Sequence, residues 1–153
     1  MDVDVGFMLR EELAVHQGAV RSLCTTATGE LISGGQDAVL NRWDVSQGTP
    51  TSSQFSPIFD HNHHIVSLTA LAPGVCEECP AGGFVTGCMD QVIRVYSSEG
   101  TLVKQLVGHT GGVISLSWTQ GEGVPRLISG SWSVLRPART QPRPLPRHLA
   151  CVL

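Results

Sequence analysis

The sequence predicts an all-β fold, a partial β-propeller with two complete blades, a truncated third blade and a Pro/Arg-rich disordered C-terminal tail. A histidine stands seven residues before a leucine three times, at His16, His61 and His109, in steps of 45 and 48 residues. Each histidine is followed downstream by a Ser-Gly or Thr-Gly turn, and in two copies an aspartate precedes a strand aromatic by six residues. A repeat of roughly 40–45 residues with these features is typical of propeller blades.

Each element of the repeat is predicted from a β-rich run bounded by turn residues. The repeats cover residues 7–132, where Phe7–Val15 is predicted to be an outer strand supplied by the N-terminus. Blade one, residues 16–60, has predicted strands near Val20–Thr25, Glu30–Ser33, Val39–Asp44 and Gln54–Phe59. Blade two, residues 61–107, has predicted strands near Ile65–Ala70, Phe84–Thr86, Val92–Ser97 and Leu102–Val107. Blade three, residues 108–132, is incomplete, with predicted strands near Val113–Trp118 and Arg126–Ser129.

The polar residues shared by the repeats suit one hydrogen-bond network in each blade. The imidazole can donate from one nitrogen to the turn carboxylate and use the other for a strand hydroxyl, which satisfies buried polar groups. Because the same pair recurs, these residues are predicted to be structural and not catalytic. The sets are His16, Ser33, Asp37 and Trp43 in blade one, His61, Thr86, Asp90 and Tyr96 in blade two, and His109 with Ser129 in blade three.

These residues carry a resemblance to WD40-repeat proteins over about residues 7–132. Within that superfamily, Gly108-His-Thr-Gly-Gly-Val-Ile-Ser-Leu116 and the later Leu-Ile-Ser-Gly-Ser-Trp132 are similar to the third blade of the phospholipase A-2-activating protein family. The opening residues 7–16 and the long loop of blade two also fit. The chain departs from the WD40 pattern with Val15 and Asp60, where Gly usually precedes the histidine, and with Ser133, where Asp is expected.

The resemblance implies a non-enzymatic ubiquitin-binding adaptor in ubiquitin-dependent protein catabolism. Its propeller would bind ubiquitin, and further domains absent from this chain would bind an AAA-ATPase segregase. Blade geometry puts partner contacts on the loops after each histidine and before each turn aspartate, with Met89 and Trp132 as apolar anchors. The predicted contact residues are Gln17, Gln36, Asn62, His63, Met89, Thr110 and Trp132, with Gly18 and Gly111 beside them.

Other functions stay open at this stage. A propeller serves equally as the scaffold of another multiprotein complex, for instance in signalling or RNA processing, because a fold does not define its function. In the inserted loop 72–83, Cys76-Glu-Glu-Cys79 has the spacing of half a zinc site or a redox dithiol, but a plain loop with free thiols is favoured. Its candidate extra ligands, Cys88 and His63, lie in other loops. For His61-Asn-His-His64, a turn that faces solvent or a partner is favoured over a metal cluster. No enzyme activity, metal, cofactor, nucleic acid or membrane is predicted.

Charge separates the tail from the repeats. Residues 1–133 hold all 13 acidic and six of the ten basic residues, a net charge of −7, whereas residues 134–153 hold four Arg and no acid. Residues 134–147 also contain four Pro without a β-period, so residues 133–153 are predicted to be a disordered, non-repeat tail. We further expect the tail to come from a truncated gene model, a retained intron or a frameshift. An SH3-type ligand at Pro142–Pro146 is an alternative.

Cysteine usage and hydropathy predict the compartment. Five cysteines without a secretory signal predict a reducing compartment, the cytoplasm and also the nucleus. The chain has no apolar run of 18 residues, so no transmembrane helix is predicted. An incomplete ring leaves a blade face exposed, so the isolated chain is predicted to be marginally stable.

Overall fold

The computed structural model describes residues 12–45, 55–119, 125–132 and 149–152, and these residues form three antiparallel sheets without a helix. This architecture confirms the predicted fold class. Ten of the eleven strands lie within three residues of their predicted bounds. The strands are β1 Val20–Thr25, β2 Glu30–Gly35, β3 Leu40–Asp44, β4 Phe55–Ile58, β5 Ile65–Leu71, β6 Gly83–Cys88, β7 Val92–Ser97, β8 Leu102–Val107, β9 Gly112–Thr119, β10 Arg126–Trp132 and β11 Leu149–Val152.

Each sheet is a meander of consecutive strands. Sheet one has the order β1-β2-β3-β4, sheet two β5-β6-β7-β8, and sheet three pairs β9, β10 and β11, with β10 in the middle. The turn between the second and third strand is the same in the first two sheets. Ala38 and Gln91 adopt left-handed backbone conformations with φ of 62° and 74°. The preceding Asp37 and Asp90 accept hydrogen bonds from the backbone N–H groups of Val39 and Val92, which stabilises these tight turns.

The first strand of each sheet, which is β1, β5 or β9, contains a bulge at the same place. We call these three strands the inner strands, and the bulge gives them a common register. The pairing skips one residue between Val20 and Ser22, between Ile65 and Ser67, and between Val113 and Ser115. A bulge adds one residue to one strand and reorients the side chains beyond it. The three inner strands can therefore be compared position by position. Val20, Ile65 and Val113 are equivalent, and so are Leu23, Leu68 and Leu116.

Apolar side chains bury both faces of sheet two. One cluster joins it to sheet one and contains Ile32, Leu40, Ile65, Leu68, Phe84 and Tyr96. The other joins it to sheet three and contains Leu71, Cys79, Val85, Ile93, Val95, Val113 and Leu127. Strand β6 is buried along its whole length because it lies in the middle of this stack. Burial of apolar surface at both junctions is the main force that holds the blades together.

Two predictions at the ends of the chain need correction. Leu149–Val152, predicted as disordered tail, form β11 and pair with β10, from Ile128 opposite Val152 to Ser131 opposite Leu149. The outer edge of β10 offers unpaired backbone groups, and a short apolar segment satisfies them by completing a third strand. Residues 133–148 lie outside the described residues. In the predicted N-terminal strand Phe7–Val15, residues 12–15 have no regular structure, and residues 7–11 lie outside the described residues.

Candidate binding surface and the polar networks beneath it

In blade one the structure brings all four predicted network residues together. His16 Nδ1 lies 2.8 Å from Asp37 Oδ2, and His16 Nε2 lies 2.8 Å from Ser33 Oγ. The Trp43 indole donates to the same hydroxyl over 3.1 Å. The network joins the histidine turn to β2, β3 and the β2–β3 turn, so it fixes one end of the sheet. We call that end, where the histidine turns of all three sheets lie, the histidine end.

The Asp37 carboxylate is stabilised as an anion at the centre of this network. Partial burial raises the pKa of Asp37, but hydrogen bonds from His16, Val39 and Gln17 outweigh it and hold the pKa below its usual value. Sequence reasoning missed Asn41, whose side-chain nitrogen lies 3.1 Å from His16 Nε2. Its position, two residues before Trp43 in the same strand and therefore on the same face, was the signal that it points into the network.

Blade two departs from the predicted network. His61 Nε2 lies 2.8 Å from Thr86 Oγ1, but the structure does not bring Asp90 to His61. Asp90 instead pairs with Arg94, over 2.7 Å and 3.1 Å between the two carboxylate oxygens and the two guanidinium nitrogens. Arg94 occupies the position of Asn41 in the register of the third strand, and its charge captures the carboxylate. Among the described residues His61 Nδ1 therefore has no partner. The Tyr96 ring stacks on Phe84, with centroids 4.9 Å apart.

The altered network makes blade two sensitive to acid. Burial, with the nearby Arg94 charge, lowers the pKa of His61 to about 4, from 6.5. The folded state therefore binds fewer protons than the unfolded state between these two values, so stability falls as the pH drops from 6.5 towards 4. We expect the free energy of unfolding to fall by about 2 kcal/mol between pH 7.5 and pH 5 from this group, measured by urea titration at both pH values.

The matched controls are His61→Gln and His63→Gln. The first variant should lose this part of the pH dependence, whereas the second should keep it because His63 is exposed on the same turn. An equal pH dependence in wild type and His61→Gln would show that His61 is not the responsible group.

In blade three the histidine again reaches the strand hydroxyl. His109 Nε2 lies 2.8 Å from Ser129 Oγ, and both residues are buried. Ser131, which has no counterpart among the predicted network residues, donates its hydroxyl to the Gly111 carbonyl over 2.8 Å. This bond ties the third histidine turn to β10. The predicted carboxylate position, residue 133, lies outside the described residues.

The predicted contact residues all lie at the histidine end. Hydrogen bonds within each sheet place the residue before the turn aspartate beside the histidine turn: Gln36 N–H donates to Ala19 O, and Met89 N–H donates to His64 O. Trp132 pairs with Gly112 in the same way. Five of these seven side chains are exposed: Gln17, Asn62, His63, Thr110 and Trp132.

The two predicted apolar anchors differ in their surroundings. Met89 is only half-buried, and its sulfur lies against Gly112 at the start of the next inner strand. It therefore covers the neighbouring blade as well as facing the surface. Trp132 is 63% exposed at the equivalent position of sheet three. Of the two anchors, Trp132 therefore presents the larger exposed apolar surface.

Cys79 and Cys88 lack the environment of reactive thiols. Cys76 and Cys79 form an isolated antiparallel bridge in the inserted loop, at the end of sheet two opposite the histidine turns. Cys88 donates to the carbonyl of His63 at the histidine end. The length of the sheet therefore separates the Cys88 thiol from the thiols of Cys76 and Cys79. Burial raises the pKa of both Cys79 and Cys88 to about 11, which keeps them as poorly nucleophilic thiols near neutral pH.

Over residues 12–45, 55–119, 125–132 and 149–152, no group of three or more His, Cys, Asp or Glu side chains is arranged to hold a metal ion. The same residues form no helix long and apolar enough to cross a membrane.

Two sheets of four strands and one of three each have a histidine turn at the start, and the first contains a complete His–Ser–Asp–Trp network. These features define a segment of a WD40-repeat propeller. The family described as "WD domain, G-beta repeat" matches residues 8–44 and 100–133, so the chain carries WD40 repeats. The stretch between these two matches contains most of sheet two, including the inserted loop and the altered network.

Relatives of the chain include several nuclear distribution proteins. The chain is 31% identical to nuclear distribution protein PAC1 of Coccidioides posadasii, over 78% of this chain and 28% of that protein. It is 27% identical to PAC1 of Arthroderma otae, over 78% and 29%, and 27% identical to nuclear distribution protein nudF of Emericella nidulans, over 78% and 30%. The chain thus spans less than a third of the length of these relatives.

Proposed function

We propose that this chain is a non-enzymatic scaffold segment that binds a protein partner at its histidine end, within a multiprotein complex. The observation that carries the proposal is the contrast at that end between hydrogen-bonded histidines and the exposed residues that follow them. His16, His61 and His109 are held inside the sheets by hydrogen bonds of 2.8 Å, while the residues that follow them are exposed. Rigid turns that present exposed side chains bind a partner at low entropic cost.

The relatives favour a scaffold in a nuclear distribution process over a ubiquitin adaptor. Their names place them in nuclear distribution, and none of the three names mentions ubiquitin. The alternative of a scaffold in another complex therefore replaces the ubiquitin-dependent reading that the resemblance to the phospholipase A-2-activating protein family implied. A cytoplasmic location, with a nuclear fraction, goes with this proposal.

A comparison of two matched surface variants tests the proposed surface. The double variant Asn62→Ala/His63→Ala changes two exposed residues of the second histidine turn, and Lys104→Ala/Gln105→Ala changes two exposed residues of β8. Proteins that cross-link to the chain in cells are quantified by mass spectrometry. We expect a defined set to fall at least tenfold for the turn variant and to persist for the β8 variant. Equal retention by both variants would contradict a binding role for the histidine end.

Ubiquitin supplies a second, separate test. We expect no chemical-shift change in the labelled chain when free ubiquitin is titrated to millimolar concentration. Saturable shifts confined to His63, Met89 and Trp132 would overturn the scaffold proposal and restore the ubiquitin-adaptor function.

A further inference from the structure

The inserted loop 72–83 holds two cysteines side by side in a tight turn. The Cys79 backbone N–H donates to the Cys76 carbonyl over 3.1 Å, and the two residues form an isolated antiparallel bridge. The Cα atoms of residues that face each other in an antiparallel pair are about 4.5–5.5 Å apart. This separation lies within the range of about 4.4–6.8 Å for the two residues of a disulfide. The backbone is therefore already placed for a bond between these two cysteines.

Further backbone hydrogen bonds hold the loop in this conformation. The Gly74 N–H donates to the Pro80 carbonyl over 3.1 Å, and the Gly82 N–H donates to the Cys79 carbonyl over 2.9 Å. Both glycines have left-handed backbone conformations, with φ of 77° and 88°, which a residue with a side chain rarely adopts. The turn that contains the two cysteines is thus fixed on both sides.

The two thiols are neighbours as well. Burial, together with the charge of Cys76 and a hydrogen bond between the two side chains, raises the pKa of Cys79 to about 11. Cys76 Sγ also donates to Glu78 Oε2 over 2.9 Å, so a carboxylate lies beside the pair. The turn therefore brings together two sulfur atoms and a group that can take up a proton.

The two thiols differ in exposure. Cys76 is partly exposed, whereas Cys79 is 2% exposed and belongs to the apolar cluster between sheets two and three. A small molecule in solution therefore reaches Cys76 first. Cys79 is shielded from such a molecule, but a sulfur held against it on the same turn has an effective concentration far above that of any dissolved thiol. Cys76 is thus the entry point for a reaction that Cys79 completes.

We propose that Cys76 and Cys79 are a reversible dithiol–disulfide pair, oxidised by a low-molecular-weight disulfide such as oxidised glutathione. The Cys76 sulfur attacks the glutathione disulfide to form a mixed disulfide, and its proton passes through Glu78 to the departing glutathione. The Cys79 sulfur then attacks the Cys76 sulfur, and its proton goes to the second departing glutathione. Two protein thiols and one glutathione disulfide thus become one protein disulfide and two glutathione thiols. This proposal does not rest on the proposed function.

The inserted loop forms one wall of a cavity at the end of the sheets opposite the histidine end. Val75 lines this space of about 720 Å³ together with side chains of the three inner strands, which include Thr25, Leu71 and Trp118. Val75 and Cys76 also pack against the apolar cluster that contains Cys79. A bond from Cys76 to Cys79 ties the loop to that cluster, so oxidation fixes this wall of the cavity and reduction releases it.

Peptide mapping of the full chain tests the proposal. The folded chain is equilibrated with mixtures of oxidised and reduced glutathione, and free thiols are then blocked. The denatured chain is cut by an endoprotease specific for glutamate, which cleaves after Glu77 and Glu78, between the two cysteines. Only a disulfide keeps the two resulting fragments joined. We expect joined fragments at a high proportion of oxidised glutathione and separate fragments after treatment with dithiothreitol.

Two serine variants of buried thiols provide a matched comparison. Burial raises the pKa of Cys88 to about 11, as it does for Cys79, but Cys88 lies at the histidine end. The variant Cys88→Ser should keep the joined fragments. The variant Cys79→Ser should stop with one glutathione on Cys76 and give at least tenfold less of the joined fragments. The Trp43 indole proton, bonded to Ser33, reports that each variant is folded.

Hydrogen exchange shows whether the disulfide fixes the loop. Oxidation should slow the exchange of the Cys79 backbone N–H at least tenfold. The Gln36 N–H, which donates to the Ala19 carbonyl over 3.0 Å in sheet one, should exchange equally in both states. Separate fragments in every glutathione mixture, joined fragments that persist in Cys79→Ser, or an unchanged exchange rate at Cys79 would overturn the proposal.

Discussion

Replacing Arg94 with Met is expected to lower the free energy of unfolding by about 3–5 kcal/mol, the usual cost of breaking a buried ion pair from one side. The Arg94 side chain is 4% exposed and that of Asp90 is 12% exposed, and the guanidinium contacts both carboxylate oxygens of Asp90. Met fills a similar volume, but it leaves the Asp90 charge without its partner in a low-dielectric site. Urea unfolding at one fixed protein concentration measures the loss.

The double variant Arg94→Met/Asp90→Asn separates charge from packing. Asn keeps an oxygen that can accept the Val92 N–H, as Asp90 does over 3.1 Å, while it removes the unpaired charge. We expect it to recover more than half of the lost stability. If the double variant is as unstable as Arg94→Met alone, the loss comes from packing and the ion pair is not its cause. Removal of the Arg94 charge should also raise the pKa of His61, since that charge contributes to lowering it.

The repeat made the strands and most of the networks predictable because each depends on short-range spacing. Six residues from Asp37 to Trp43 are the length of one turn and one strand, so they place both side chains in the same hydrogen-bond network. The same spacing in blade two predicted a contact between Asp90 and His61 that the structure lacks. Arg94, four residues after Asp90, was the missed signal, because a charge at a buried strand position needs a partner within reach.

Features that depend on contacts between distant segments could not be predicted from spacing. Strand β11 pairs with β10 across residues 133–148, where no periodic pattern links the two segments. The burial of Met89 depends on the absence of a side chain at Gly112 in the next blade. Neither the pairing of β11 with β10 nor the contact between Met89 and Gly112 is visible in the sequence around one residue alone.

Replacing Phe84 with Ala should produce a loss of similar size, about 3–5 kcal/mol in the free energy of unfolding. Phe84 is fully buried in the junction between sheets one and two, where it stacks on Tyr96. Its removal leaves a cavity that the flanking strands cannot close, since β6 is held between two neighbours in its own sheet. The matched control is Phe59→Ala, because Phe59 is 72% exposed and should change stability by less than about 0.5 kcal/mol. Comparable losses for the two variants in urea unfolding would show that the junction does not limit the stability of the chain.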